Sequence, residues 1–448
     1  MSSQKEQWSS NFGFLMATIA SAVGLGSIWK FPYLVGSNGG SAFIIIYTIL
    51  IILIGILGLS VENSVGRFGG TNVVDSYAKI HPKAKWLGTI ALLGAFLVFL
   101  IYSVLGGWVL HYLFKLGTFQ LQNVATSTYF SSFMQSDEAL IWQILFTLAT
   151  MWIVGQGVAK GIEKYSTVMN ILLFALIILV AIRGLSLPNA KAGIDFLLKP
   201  DPSAFSNPKI WLTATGQALF SLSLGMGIMV TYGSYVPKQS KILKSSLIVS
   251  FSTLIMAILM GFAIFPALFA MGFSPEGGAG LLFIVLPEVF AKMSGGTIFA
   301  VAFFVATFFA AITSAVSIIE PIVSYLMHKF NLSRKKATIS LTLITLVLNT
   351  PIALAHGRFS GWTINGKNLF NTLDFLTDSI LLPLNTLIVV ILAGWFWKKR
   401  GFLTELSNQH SLKLPYPTVL LWIVRILIPL TILIIVGVTF YPIIVSAK

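Results

Sequence analysis

The 448-residue sequence contains no cysteine and only 14 acidic residues, and charged residues of every kind make up just 10% of it. Without thiols, disulfide frameworks and thiolate metal sites are excluded, and stability has to come from packing. So few acids leave little material for paired catalytic carboxylates or for the acid-rich cages that hard divalent cations prefer. Long polar stretches are missing as well, so no second, soluble domain is visible. Hydrophobic residues fill the space at 56%, in runs too long for the core helices of a soluble protein.

A bilayer core needs about 20 apolar residues per helical span. Such runs lie at about 12–36, 41–66, 88–116, 140–156, 165–185, 209–233, 243–272, 297–327, 336–355, 371–397 and 416–446, which predicts an all-α integral membrane protein of about eleven transmembrane helices. The first run follows a polar stretch with Lys5 and Glu6 and exceeds the apolar core of a signal peptide, so it is read as a retained helix. The net charge of +15 invites a nucleic-acid reading, but its distribution follows topology instead. With the N-terminus inside, about 18 of the 29 basic residues, among them Arg67, Lys79, Lys238, Lys241, Arg334 and Lys398, fall in cytoplasmic segments. This is the positive-inside bias; it places a multi-pass protein in the cell membrane with its N-terminus cytoplasmic and Lys448 outside, and removes nucleic acid as a partner.

Two glycine-interrupted stretches break the apolar monotony five spans apart: Gly24-Leu25-Gly26 in span one and Gly225-Met226-Gly227 in span six. Glycine inside a helix costs about 1 kcal/mol relative to alanine, and unwound backbone at membrane depth is tolerated only where it lines a cavity. Span one starts inside and span six outside. The breaks therefore occupy equivalent positions in two five-helix halves of opposite orientation (1–185 and 209–398, with 416–446 as an additional helix), the inverted-repeat signature of a secondary transporter. Close helix packing through small residues is the competing reading. The segment GLLFIVLPEVFAKM (280–293) is too apolar for a solvated loop and too short to cross, so it is expected to re-enter as an outer lid, whereas 117–139 and 186–208 read as ordinary surface loops.

Broken helices free backbone N–H groups for an anion and carbonyls for a cation. In span eight, Ala310, Thr313 and Ser314 stand at i, i+3 and i+4, and with the carbonyls of Ala20 and Val23 they could form a cage of neutral oxygens suited to a monovalent ion. Lys30, Glu62, Glu320, Asp374, Asp378 and Arg425 lie near or within spans, where charge is costly and points to function by default. Lys30 and Asp374 are expected to pair across an outer vestibule, Glu62 to support a broken helix by accepting hydrogen bonds, and Arg425 to snorkel to the interface. No nucleophile–base pair is visible, and Gly24-Leu25-Gly26-Ser27-Ile28-Trp29 lacks the last glycine of a dinucleotide fingerprint, so the chain is not read as an enzyme.

At these residues the sequence resembles the neurotransmitter:sodium symporter family over essentially its whole length, in SAVGLGSIWKFPY, NGGSAF, GLSVENSVGRFGG, GQALFSLSLGMGIMVTYGSYV and FFAAITSAVSIIEPIVSYL; eleven spans look like its bacterial branch. The resemblance implies a sodium site of Ala20, Val23, Ala310, Thr313 and Ser314. It also implies a substrate site of Ser21, Ala22, Leu25, Gly26, Val98, Tyr102, Phe220, Ser221, Ser223, Met226, Ser314 and Ile318, with Tyr102 bonding a carboxylate. Members that carry monoamines place an aspartate where this chain has Gly24, which favours a substrate bringing its own carboxylate; the mostly apolar pocket side chains, with Met226 in place of a phenylalanine common in relatives, imply a hydrophobic or aromatic L-amino acid.

The departures from the family are specific. A second sodium would rest on Ala22, Ser27, Ser221 and Ser252, but Ser27 and Ser252 stand where the family usually has an asparagine and an asparagine or aspartate, so that site stays open. Chloride stays open too: Tyr47, Gln217, Ser221 and Ser252 are available, but Met256 stands at the final polar position. At the inner gate Lys5 takes the place of an arginine and His328 that of its aspartate partner, beside Trp8, Ser234 and Tyr235; a histidine there permits pH sensitivity. Sodium-coupled alternating-access symport is the function expected. The alternatives are a non-transporting amino-acid sensor of the same fold, distinguished by binding without flux, and symport of another small amino-acid-like substrate; the oligomeric state is not legible.

Overall fold

The computed structural model describes residues 6–121, 124–275 and 278–446; Lys5 and Lys448 lie outside them. Among the described residues nine helices are long and apolar enough to cross a membrane: Ser41–Gly69, Pro82–Gly117, Glu138–Gly155, Val158–Leu185, Ile242–Ala270, Gly296–Phe330, Arg334–Ala353, Leu369–Phe396 and Pro417–Val438. These are spans two to five and seven to eleven. Span one is the pair Asn11–Ala22 and Gly26–Ser37, bent by 47° at its break. Span six consists of Pro208–Ser221 and Ile228–Ser234, each too short to cross alone.

The two breaks differ in construction. In span one the helix stops at Ala22, Val23 leaves helical geometry at φ −92° and ψ 65°, and a wide turn resumes at Gly26. In span six the backbone turns left-handed three times, at Ser223 (φ 55°), Gly225 (79°) and Gly227 (68°). Glycine is needed at 225 for a second reason: a Cβ there would meet the Leu382 carbonyl and lie 2.6 Å from Thr386 Oγ1. Small residues also bring helices together. A Cβ at Gly233 would lie 2.5 Å from the Asn63 carbonyl oxygen, and one at Gly66 would meet the Val230 carbonyl, so the second half of span six lies backbone to backbone against span two. Spans one, two, three, six and eight are the buried centre, while spans four, five, nine and eleven turn most of their surface outward.

The two segments expected to be ordinary surface loops are more ordered than that. They contain the helices Thr126–Gln135 and Lys191–Leu198 and the turn Pro202–Ser206. Each short helix is amphipathic and packs its apolar side down, through Phe130 and Phe133 in the first and Leu197 in the second. The apolar segment after span seven does fold into the protein: Leu281, Leu282 and Phe283 are buried, and Val285–Lys292 forms a helix behind them. Phe283 meets Trp108 and Tyr112 of span three and stacks on Phe130 at 5.0 Å. Thr126 Oγ1 donates to the Ile284 carbonyl at 3.0 Å, tying the two short elements together. Arg425 binds span eleven to span ten by donating Nε to the Gly394 carbonyl at 2.6 Å.

Candidate functional site

The last turn of a helix leaves carbonyls without intrahelical partners, and the first half of span one ends where span eight supplies hydroxyls. Thr313 Oγ1 lies 3.2 Å and Ser314 Oγ 3.3 Å from the Ala20 carbonyl oxygen, and Ser314 Oγ lies 3.1 Å from that of Ser21. Thr313 Oγ1 is also 3.3 Å from the Ala310 carbonyl oxygen of its own helix. Ala20, Ala310, Thr313 and Ser314 thus meet at one point, and Val23 caps the half-helix beside them, its N–H bonded to the Ile19 carbonyl at 2.7 Å. The donor set is neutral, oxygen-only and placed at the negative end of a half-helix dipole, which suits an alkali cation.

Across the break, the Leu25 N–H donates to the Tyr102 hydroxyl at 2.7 Å. A cavity opens here, lined by Leu25, Gly26, Val98, Tyr102 and Phe220, with Lys30 and Asp378 at its edge. The Phe220 ring lies so close to Gly26 that a Cβ there would be 2.6 Å from two ring carbons. At Gly24 a Cβ would lie 2.5 Å from the Tyr102 hydroxyl and 2.9 Å from Ser314 Cβ, and would collide with Ser314 Oγ. No side chain, least of all a carboxylate, fits at 24 in this arrangement.

Deeper, hydroxyls from three spans join. Ser21 Oγ lies 3.2 Å from Ser223 Oγ and 2.7 Å from Ser317 Oγ, and Ser223 Oγ donates to the Ser21 carbonyl at 3.0 Å. Ser317, which the sequence reading missed, donates to the Ser314 carbonyl at 2.7 Å; its position one helical turn after Ser314 was the available signal. Ala22, Ser221, Met226 and Ile318 are buried in the same spans but do not line the cavity. A cleft of about 830 Å³ lies elsewhere, between Arg67, Lys79, Lys238 and Lys241, and involves neither broken span.

Two side chains hold the breaks open. Glu62 Oε1 of span two accepts from the Gly225 N–H at 2.7 Å, and Gln217 Nε2 donates to the Gly26 carbonyl at 2.8 Å and to Ser221 Oγ at 2.9 Å. Ser27 Oγ sits 3.4 Å from the Ala22 carbonyl. Ser252 does not join Ala22, Ser27 and Ser221: it is only half-buried, off the inward stripe of span seven, which runs through Ser246, Val249, Ser250, Thr253 and Met256. The helical period places the polar residue facing the core one position away from the one chosen from sequence. Tyr47, also buried, lies beside Phe31 of span one with ring centroids 4.8 Å apart.

Lys30 pairs with Asp378, not with Asp374. The two aspartates stand at i and i+4 on one face of span ten and both border the cavity, but the Lys30 ammonium, held over the Phe220 ring at 4.6 Å, reaches the second.

On the face where the N-terminus lies, the expected partner His328 is exposed at the rim of a second cavity and bonds to no described residue. The contacts there centre on Glu320. Its carboxylate takes both ends of the Arg334 guanidinium, at 2.7 and 2.8 Å, and the Tyr235 hydroxyl at 2.8 Å. Arg334 Nε also reaches Glu6 at 2.9 Å. Trp8 closes the side by donating Nε1 to the Tyr232 carbonyl at 3.0 Å and packing edge-on against that ring at 4.9 Å. An acid inside an apolar run signals a buried partner, but which of many basic residues folds back onto it depends on the turn at Asn331 that reverses the chain between spans eight and nine.

Comparison with known proteins agrees with this geometry. The Sodium:neurotransmitter symporter family profile matches residues 5–131 and 129–446. The chain is 39% identical over 442 residues to the sodium-dependent transporter YhdH of Bacillus subtilis, covering 97% of this chain and 98% of that one. It is 35% identical to a sodium-dependent transporter of Haemophilus influenzae, covering 96% and 97%. Its fold is similar to that of MhsT in complex with L-phenylalanine, with a TM-score of 0.88 and 41% identity over 96% of this chain and 98% of that one. A multi-pass membrane protein with two broken spans of opposite orientation around a neutral oxygen cage, this chain belongs to the sodium:neurotransmitter symporter family and is a sodium-dependent transporter, not an enzyme.

Proposed function

We propose that the protein carries a hydrophobic or aromatic L-amino acid together with sodium by alternating access, from the outside of the cell membrane to the cytoplasm, with its N-terminus cytoplasmic. The observation that carries this reading is the crowding at Gly24. An acid of the chain's own has no room beside Tyr102 and Ser314, so the backbone N–H groups at the break and the Tyr102 hydroxyl, which accepts from Leu25 in this arrangement, are left to a carboxylate that the substrate brings. The apolar lining of Leu25, Val98 and Phe220 then faces the substrate side chain, and the L-phenylalanine bound by MhsT is of that class.

Sodium is assigned to Ala20, Val23, Ala310, Thr313 and Ser314. These oxygens belong to two different spans, so a bound ion favours the arrangement in which span one and span eight are together. A ligand shifts such an equilibrium only through its differential affinity for the two states, and an ion bridging two spans has that difference by construction. Lys30 and Asp378 would close the outer side, and Glu320, Arg334, Glu6, Tyr235 and Trp8 the inner one. We expect a single sodium per cycle, since Ser252 does not complete a second set.

Uptake into proteoliposomes across an amino-acid panel tests the reading, with sodium exchanged for potassium and chloride for gluconate. Hydrophobic and aromatic amino acids should compete and potassium should not replace sodium. Competition by glutamate or lysine equal to that by phenylalanine would overturn the substrate class, and strongly sigmoidal sodium dependence would overturn the single-ion stoichiometry.

A further inference from the structure

Spans four and nine turn apolar side chains outward on most sides, through Ile141, Leu145 and Leu148 in one and Leu343, Val347 and Leu348 in the other. Where they turn inward the stripe is polar. Gln143 and Thr147 of span four and Thr345 and Asn349 of span nine are fully buried, and all face Ser103 of span three or lie one turn from a residue that does. Asn349 Nδ2 donates to Ser103 Oγ at 2.6 Å, and Gln143 Nε2 approaches the same oxygen at 3.5 Å while donating to Thr147 Oγ1 at 2.8 Å. Ser103 directs its own proton to the Leu100 carbonyl at 3.0 Å.

Two carboxamides therefore meet at one hydroxyl, and each has an oxygen left over. Gln143 Oε1, Asn349 Oδ1 and Thr345 Oγ1 are all buried without a hydrogen-bond partner among the described residues. In each carboxamide the free oxygen shares its carbon with the nitrogen that points toward Ser103, and Thr345 stands one turn before Asn349 on the same helix. Exchanging nitrogen and oxygen leaves each amide with an unpaired atom all the same: the Ser103 proton is already engaged, and although the Thr147 hydroxyl could donate to a reversed Gln143, the nitrogen of that amide would be stranded instead. Buried acceptors left unpaired destabilise a fold, and buried water typically makes about three hydrogen bonds to such groups.

We propose that one ordered water molecule is a built-in part of the junction of spans three, four and nine, donating to Gln143 Oε1 and Asn349 Oδ1 and accepting from the Thr345 hydroxyl. Two acceptors and one donor match the two protons and a lone pair of water. A sodium ion fits worse: these three spans are unbroken helices at this level, so neither a helix end nor a carboxylate offsets the charge, in contrast to the cage at Ala20. The junction backs onto Ser103, the neighbour of Tyr102, so the water fixes the helix that presents Tyr102 to the cavity.

The test is a structure of the full-length protein at a resolution that shows ordered solvent, once in sodium and once with thallium replacing it, combined with thermal unfolding of variants. A density peak within hydrogen-bond distance of all three oxygens, the same in both media and without thallium's anomalous signal, is the expected result. A missing peak, direct pairing of the three oxygens with other groups, or a thallium signal would each overturn it, the last in favour of a cation. Thr345→Val removes the donor to the water without changing shape and should lower the unfolding midpoint by a few degrees. Thr342→Val on the same helix, whose hydroxyl bonds its own backbone at the Thr338 carbonyl, should not. Equal midpoints for the two variants would also overturn the proposal.

Discussion

Gly24→Ala places a single methyl group where the cation cage and the substrate cavity touch. The added carbon would lie 2.5 Å from the Tyr102 hydroxyl and 2.9 Å from Ser314 Cβ, with Ser314 Oγ nearer still. Rotating Ser314 moves its oxygen away but not its Cβ, so the backbone of span one or span eight has to yield. Three hydrogen bonds are at stake: Leu25 N–H to Tyr102 at 2.7 Å, and Ser314 Oγ to the Ser21 and Ala20 carbonyls at 3.1 and 3.3 Å. At about 1 kcal/mol net for each, losing two or three costs about 2–3 kcal/mol, which is about a 30- to 150-fold loss of affinity. Because the strained groups serve both ligands, sodium and amino-acid affinities should fall together. Equilibrium binding of the best substrate from the uptake panel, titrated against sodium in detergent, measures both, and the single variants Ser314→Ala and Tyr102→Phe divide the loss between them. A correctly folded Gly24→Ala protein with wild-type affinity for both ligands would refute the steric reasoning, and with it the argument for a substrate that supplies its own carboxylate.

Replacing Thr313 and Ser314 together by alanine should abolish sodium-dependent uptake while the protein remains in the membrane; persistent sodium stimulation in proteoliposomes would move the ion elsewhere. Glu320→Gln leaves the Arg334 guanidinium buried beside a neutral amide, and breaking such a pair typically costs about 3–5 kcal/mol, so thermal unfolding should show a much larger drop than Glu6→Gln, at the half-buried end of the same network. Gly225→Ala introduces a side chain at a φ of 79° and against the Leu382 carbonyl; lost transport and lowered expression are expected, read by uptake per molecule of purified protein. His328→Asp should leave the pH profile of uptake unchanged, because the exposed imidazole stands outside the Glu320 network; an altered profile would return His328 to the inner closure.

Much of this architecture is legible in the sequence because the bilayer enforces a simple code. Spans announce themselves by length, and the two breaks by glycines, since a left-handed turn such as Gly225 or Gly227 admits little else. The pairing of Thr313 and Ser314 with Ala20 follows from helical spacing once the break is located. What stays hidden depends on rotation and reach. Ser252 and Thr253 are neighbours in the chain, and only the packing of span seven decides which of them faces inward. Asp374 and Asp378 share a face, so composition alone does not select between them for a flexible lysine. The helices within 117–139 and 186–208 escape detection because they are short, and their apolar residues gain a partner only after the spans beneath have assembled.

The polar seam of spans four and nine has a bearing on how the protein is made. Gln143, Thr147, Thr345 and Asn349 leave these two spans the least apolar of the nine unbroken ones, so their transfer from the translocation machinery into lipid is the least favoured when each is alone. Span four emerges directly after span three, whose Ser103 can receive Gln143 at once. Span nine is synthesised much later and needs Ser103 and the flank of span four already in place. Insertion of span nine is thus expected to depend on a docking surface left by spans three and four, and a defect at Ser103 should show itself as failed biogenesis of span nine before any transport is measured.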